Sequence, residues 1–222
     1  MSAAIVPIGE TAEHKPDIFI EMIEKESLVD VSTMPDLEFD SIYEARIRRL
    51  SAQHWTPVQV AARAAKLLTR AGATRILDVG SGVGKFCIVG ALTTDADFVG
   101  VERRLDLVEI ARGAAAQLGA ARAAFVHENV DVFPFTGFDG FYLYNPFHEQ
   151  INRQVSPIDG AFPRSNAAYR RFIDKTTEKL SASPSATAVV MFNGYGGTLS
   201  REYTFRGDEP AGNDWLELWT KD

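Results

Sequence analysis

The sequence holds a single cysteine, Cys87, so no disulfide within the chain can staple its fold. Set among Phe86, Ile88 and Val89, it reads as a buried packing residue rather than a nucleophile. Long apolar runs are also missing. Nothing approaches the length of a membrane span, and residues 1–10 lack the basic start and apolar stretch of a secretory leader, so the expected location is the cytoplasm. Positive charge is in deficit: 23 Lys and Arg face 30 Asp and Glu, and the net charge of −7 disfavours nucleic acid as a partner. There is no internal repeat or low-complexity tract, and no metal site is expected. What is present, 45% hydrophobic and 24% charged residues in a chain of 222, suits one soluble domain with a sizeable core and a small appendage.

The informative stretch runs from Arg75 to Phe86. Ile76, Leu77 and Val79 form a β-prone run that stops at Gly80, Gly82 and Gly84, and the apolar segment Phe86 to Leu92 then has helix length. Strand, glycine turn and helix together let backbone approach a ligand and aim free N–H groups at it, which suits a nucleotide-like cofactor. A phosphate-binding P-loop is excluded, because Val79 stands where its first glycine belongs and Phe86 follows Lys85. The dinucleotide fingerprint, Gly-x-Gly-x-x-Gly, is also unmet, since the third glycine comes one residue early; this argues against an NAD(P)-dependent reductase. Downstream, Phe98 to Glu102 reads as the next strand, and a carboxylate at its carboxyl end can accept both hydroxyls of a ribose.

The segment Asp78-Val79-Gly80-Ser81-Gly82-Val83-Gly84 resembles the first motif of class I S-adenosylmethionine-dependent methyltransferases. The resemblance implies S-adenosylmethionine as cofactor, with Asp78 near its methionine end, Glu102 on the ribose, and Glu128 or Asn129 on the adenine. The implied cofactor-binding set is Asp78, Gly80, Ser81, Gly82, Gly84, Phe86, Glu102, Arg103, Glu128, Asn129, Asn145 and Thr56. Trp55-Thr56-Pro57 is similar to the aromatic-Thr-Pro turn that precedes the first motif in adenine amino-group methyltransferases; read from the residues alone, Thr56 caps a helix that begins at Pro57.

Phe141 to Tyr144 reads as a buried strand ending in Asn145-Pro146-Phe147. That ending resembles the Asn-Pro-Pro-aromatic motif of methyltransferases acting on planar amides and exocyclic amines, less one proline. Asn145, Tyr144 and Phe147 are accordingly the expected catalytic set, shaping the acceptor site. The same turn, the Val99-Gly100-Val101-Glu102 strand end and the Asn-Pro-Phe segment are also similar in outline to the Rossmann-type histone-lysine methyltransferases that lack the SET fold. The implied function is methyl transfer to a nitrogen of a protein or small molecule, the alternatives being an inactive binding module or the reductase. His127 reads as a structural hydrogen-bonder, with His148 and Glu149 as further candidates for a base.

Elsewhere the pattern predicts helices over residues 16–28 and 41–50, an acidic linker over 36–40, crossover helices over 83–93 and 105–118, and a strand over 123–126. A long loop over 151–164, a helix ending near Leu180, a strand over 186–192 and closing strands over 202–206 and 215–220 follow. The expected fold class is α/β: a doubly wound, seven-stranded, mostly parallel sheet with an antiparallel C-terminal edge. A helical N-terminal extension, residues 1–55, precedes the cofactor-binding domain, residues 56–222.

Overall fold

The computed structural model describes residues 30–154, 157–212 and 214–222. The helix expected over residues 16–28 lies outside them. The chain runs α1 (Asp36–Phe39), α2 (Ala45–His54), α3 (Val58–Arg70), β1 (Arg75–Val79), α4 (Lys85–Thr93), β2 (Asp97–Glu102), α5 (Leu105–Gln117) and β3 (Ala123–His127). There follow β4 (Gly140–Tyr144), α6 (Asn166–Ser181), β5 (Ala188–Phe192), β6 (Tyr203–Ala211) and β7 (Asp214–Lys221). The seven strands form one sheet in the order β3-β2-β1-β4-β5-β7-β6, parallel from β3 through β5 and antiparallel where β7 meets β5 and β6. This is the fold class the sequence implied.

Alternation along the strands sorts the core into two layers. Ile76, Tyr142, Ala188 and Val190 face the layer of α3, α4 and α5; Leu77, Val79, Phe141, Leu143, Val189 and Met191 face the layer of α6. Asp78 shares the face of Ile76 and lies in register with Tyr142 on β4 and Gly100 on β2. A carboxylate is thereby built into the side of the sheet that also carries the glycine turn.

The segment read as an acidic linker is instead structured. Phe39 of α1 is fully buried, and Asp40, which opens a single 3-10 turn, is buried too. The reason is Lys85, only 2% exposed at the start of α4, whose Nζ lies 2.5 Å from Asp36 Oδ1 and 2.7 Å from Asp40 Oδ1. A buried ammonium needs a carboxylate, and this pairing draws Asp40 inward while Asp36 meets the lysine from the surface. The described part of the N-terminal extension packs into the main core through Phe39, Tyr43 and Ile47. Its contacts converge on the glycine turn: Tyr43 Oη donates to the Val83 carbonyl at 3.2 Å, and the Trp55 ring lies over Gly82.

Thr56 does not cap α3. The helix starts at Val58, whose N–H is taken by Asp36 Oδ1 at 2.9 Å, while the buried Thr56 hydroxyl shares a 3.1 Å hydrogen bond with Tyr142 Oη. A cap from a distant carboxylate satisfies the same orphan donor and frees Thr56 for the site. Ser165, by contrast, caps α6 by accepting from the Ala168 N–H at 3.2 Å.

Candidate active site

The site lies at the carboxyl ends of β1, β2 and β4, the edge at which open parallel sheets take ligands. After β1 the chain makes left-handed turns at Gly80 (φ 78°), Gly82 (φ 54°) and Gly84 (φ 79°), and α4 follows. A Cβ on Gly82 would stand 2.5 Å from the Trp55 ring, and one on Gly84 would stand 2.4 Å from Phe125. The glycines are thus demanded by packing as well as by backbone angle. A Cβ on Gly80 would meet Pro146 at 3.1 Å, so the turn and the tip after β4 face each other directly.

Glu102, buried at the end of β2, accepts from the Gly82 N–H at 3.2 Å and the Arg104 N–H at 2.9 Å. Burial pushes its carboxyl above the ordinary carboxylate value, while the Arg104 and Gly82 N–H groups and the arginines beside it pull the other way. Asp78 is raised to about 8 by burial, opposed by the Cys87 thiol 3.6 Å away and reinforced by the charge of Glu102. Cys87 is therefore buried as expected, but it also partners the buried acid.

Three adjoining cavities share Gly80. The first is walled by Glu102, Arg103, Asn129, Val130, Phe147, Gln150 and Phe172, among others. The second, on the far side of Pro146, is lined by Trp55, Gln53, His54, Tyr144, Asn145, His148, Asn152 and Asn193. The third reaches inward past Trp55 and Thr56 to Asp78, Ser81 and Phe86. Phe86 stacks on Tyr142 with ring centroids 3.9 Å apart. The Ser81 hydroxyl is buried without a hydrogen-bond partner.

Arg104, also buried, organises the boundary between the first two cavities. Its Nη2 lies 2.8 Å from Glu149 Oε2 and its Nε 2.9 Å from Asp159 Oδ2, tying the loop after β4 to the end of β2. Burial alone would lower the pKa of this guanidinium, but Glu149, Glu102 and Asp159 outweigh it and hold the charge. Arg103, which lines the first cavity, stacks over Phe162 at 4.1 Å.

The expected residues thus gather at one edge, in subdivided form. Asn145 and Tyr144 face the second cavity, whereas Phe147 packs on Phe172 at 5.4 Å and lines the first. Asn129 lines the first cavity; Glu128 does not, being exposed with Oε1 accepting from the Asn129 N–H at 2.8 Å. His127 Nε2 bonds the Arg103 carbonyl oxygen at 3.0 Å, outside the cavities. Glu149 is spent on Arg104 and the Ile158 N–H, and His148 Nε2 meets Asn152 Nδ2 at 2.6 Å. Arg104, Gln150 and Trp55 were missed as site residues. Trp55 could have been found from its place beside Thr56; the other two carry no motif.

Comparison with known proteins bears on the fold. Residues 71–157, the span from the end of α3 to the loop after β4, match the family model described as a methyltransferase domain. No curated protein sequence matches the chain. Similar solved structures include an RNA methyltransferase from Salinibacter ruber in complex with S-adenosyl-L-homocysteine, at 23% identity over 75% of this chain and 92% of that one, TM-score 0.53. Another is TrmN from Thermus thermophilus, at 17% identity over 80% of this chain and 52% of that one, TM-score 0.51. The mitomycin 7-O-methyltransferase MmcR is similar at 13% identity, over 80% of this chain and 57% of that one, TM-score 0.52. At these identities what is shared is the fold, the α/β Rossmann-like fold of methyltransferases.

Proposed function

We propose that this chain is an S-adenosylmethionine-dependent methyltransferase acting on a nitrogen of a protein or small molecule. The observation that carries the proposal is the junction at Gly80, where a cleft walled by Glu102, a pocket ending at Asp78 and a cavity fronted by Asn145 come together. The donor set fits the cofactor: a carboxylate for a ribose, a buried acid for a cationic amino-acid end, and an orphaned Ser81 hydroxyl beside it. Bound S-adenosylmethionine would supply a methyl group on a sulfonium, ready for in-line displacement. The residues of the chain then have mainly to position and to exclude water.

In this reading Gly80 and Gly82 bring main chain against the cofactor, Glu102 holds the sugar, and Asp78 faces the methionine end. Asn145 orients the acceptor nitrogen by hydrogen bonding, with the Tyr144 ring beside it; an amide cannot take the proton, so Asn145 aligns a lone pair rather than acting as a base. The acceptor cavity favours a neutral polar group. Its wall carries the amides of Gln53, Asn145, Asn152 and Asn193, and its one arginine, Arg104, is committed to Glu149 and Asp159. That lining supports a planar amide or amine over a phosphate-rich polymer. The narrower kinship with the histone-lysine methyltransferases rests on the motif outline alone.

The test is titration calorimetry with S-adenosylhomocysteine and with NAD. Heat with the first and none with the second is expected, and Glu102→Ala should weaken the first at least about tenfold, the loss of one or two charge-assisted hydrogen bonds. Binding of NAD in preference to S-adenosylhomocysteine would refute the proposal.

A further inference from the structure

Asp78 is a buried acid that the protein itself does little to hold. It lines the third cavity and lies in register with Gly100 on β2 and Tyr142 on β4, yet neither serves its side chain. Gly100 has no side chain to offer, and the Tyr142 hydroxyl is shared with Thr56. Lys85 lines the same cavity, but its ammonium is committed to Asp36 and Asp40. The charge of Glu102, from the end of β2, opposes ionisation of Asp78, and His54 and Tyr144 complete the polar lining. Among the described residues one hydrogen-bond donor reaches the Asp78 carboxyl: the thiol of Cys87, fully buried on the first turn of α4, with Sγ 3.6 Å from Oδ2.

The two oxygens of a carboxyl point apart, so a bond that draws Oδ2 toward α4 leaves Oδ1 as the oxygen free to meet a ligand. Oδ1 is not among the side-chain atoms sealed off without a partner. A thiol is suited to this task because it donates weakly. An arginine or lysine in place of Cys87 would neutralise the acid for good, and an apolar residue would leave the carboxyl unaligned. The weak donor gives Asp78 a direction and leaves its charge unanswered, to be met by a cation entering the cavity.

We infer that Cys87 is a positioning residue for Asp78: its thiol aligns that carboxyl and sets how strongly the site prefers a ligand carrying an ammonium group. Cys87 touches no ligand and undergoes no covalent change; it acts through the acid alone. The inference rests on the S-adenosylmethionine reading and adds a residue that the motif does not name.

The experiment is titration calorimetry of the full chain, as wild type, Cys87→Ala and Cys87→Ser, with two probes across pH. One probe is S-adenosylhomocysteine; the other is 5′-methylthioadenosine, the same nucleoside thioether without the amino-acid end. Cys87→Ala should bind S-adenosylhomocysteine about fivefold more weakly, the scale of one hydrogen bond, and bind methylthioadenosine as the wild type does. Because the thiol bond lowers the pKa of Asp78, its removal should also move the rise of S-adenosylhomocysteine affinity to higher pH. Cys87→Ser, close to alanine in size but still a donor, should keep most of the preference. A packing role for the sulfur would instead weaken both probes together and leave the pH profile in place. An undiminished preference in Cys87→Ala, an equal loss for both probes, or a serine variant as poor as the alanine one overturns the inference and leaves the methyltransferase reading standing. No heat from either probe on the wild type sinks both.

Discussion

Two neighbouring strands, β1 and β4, each end in a left-handed residue, and they use different amino acids for it. After β1 the positions are glycines, with φ of 78°, 54° and 79°; after β4 the position is Asn145, with φ of 41°. At the first place Trp55 and Phe125 come so near that no Cβ could stand there. At the second a side chain remains, at a cost of roughly 1 kcal/mol or more in backbone strain, and it faces the cavity. The same backbone geometry serves opposite needs: one turn requires that a side chain be absent, the other that one be present. Asparagine is among the few residues that tolerate this conformation and still offer hydrogen-bonding atoms.

The sharpest way to break the comparison is Gly82→Val. A branched side chain at φ 54°, with its Cβ 2.5 Å from the Trp55 ring, should destabilise the protein by about 2–6 kcal/mol, summing backbone strain and overpacking, and should abolish binding of S-adenosylhomocysteine. Trp55 is why stability and binding should both fall. Thermal melting together with calorimetry decides it, and a variant that melts like the wild type would show the packing to be loose.

Asn145→Gly is the complementary change. Glycine accepts the backbone angle, so melting should shift little, while methyl transfer to a working acceptor should fall roughly 100-fold from misplacement of the nucleophile. The affinity for S-adenosylhomocysteine should stay within a few-fold of wild type. If turnover survives, Asn145 is a turn residue like the glycines and the contrast collapses.

The last expectation concerns pH dependence. The Asp78 carboxyl rises from its ordinary 3.8 to about 8, so the folded protein binds this proton more tightly than the unfolded chain. The stability it lends is therefore complete below pH 3.8 and is lost as pH climbs to about 8. Toward a cationic ligand the sense is reversed: the ionised acid attracts an ammonium group, so affinity for S-adenosylmethionine should strengthen as pH rises toward about 8. Asp78→Asn should flatten both trends, as melting and calorimetry across pH would record. An unchanged slope would assign the proton to Glu102, which burial shifts in the same direction.

The sequence by itself determined the β1 to β3 half, the glycine turn, Glu102 at its strand end and Asn145 at its tip. There the chemistry is local: glycine spacing, strand length and the residue closing each strand follow from neighbours a few positions away. Tertiary structure alone decided that Phe39 and Asp40 fold inward, because the partner of Asp40, Lys85, lies more than forty positions along the chain. It likewise decided that Asp36 rather than Thr56 caps α3, that Phe147 lines the first cavity rather than the second, and that Arg104 and Gln150 wall the cleft. Such roles depend on which charge or ring a residue meets across space, and a buried lysine seeking a carboxylate leaves no periodic mark in the chain.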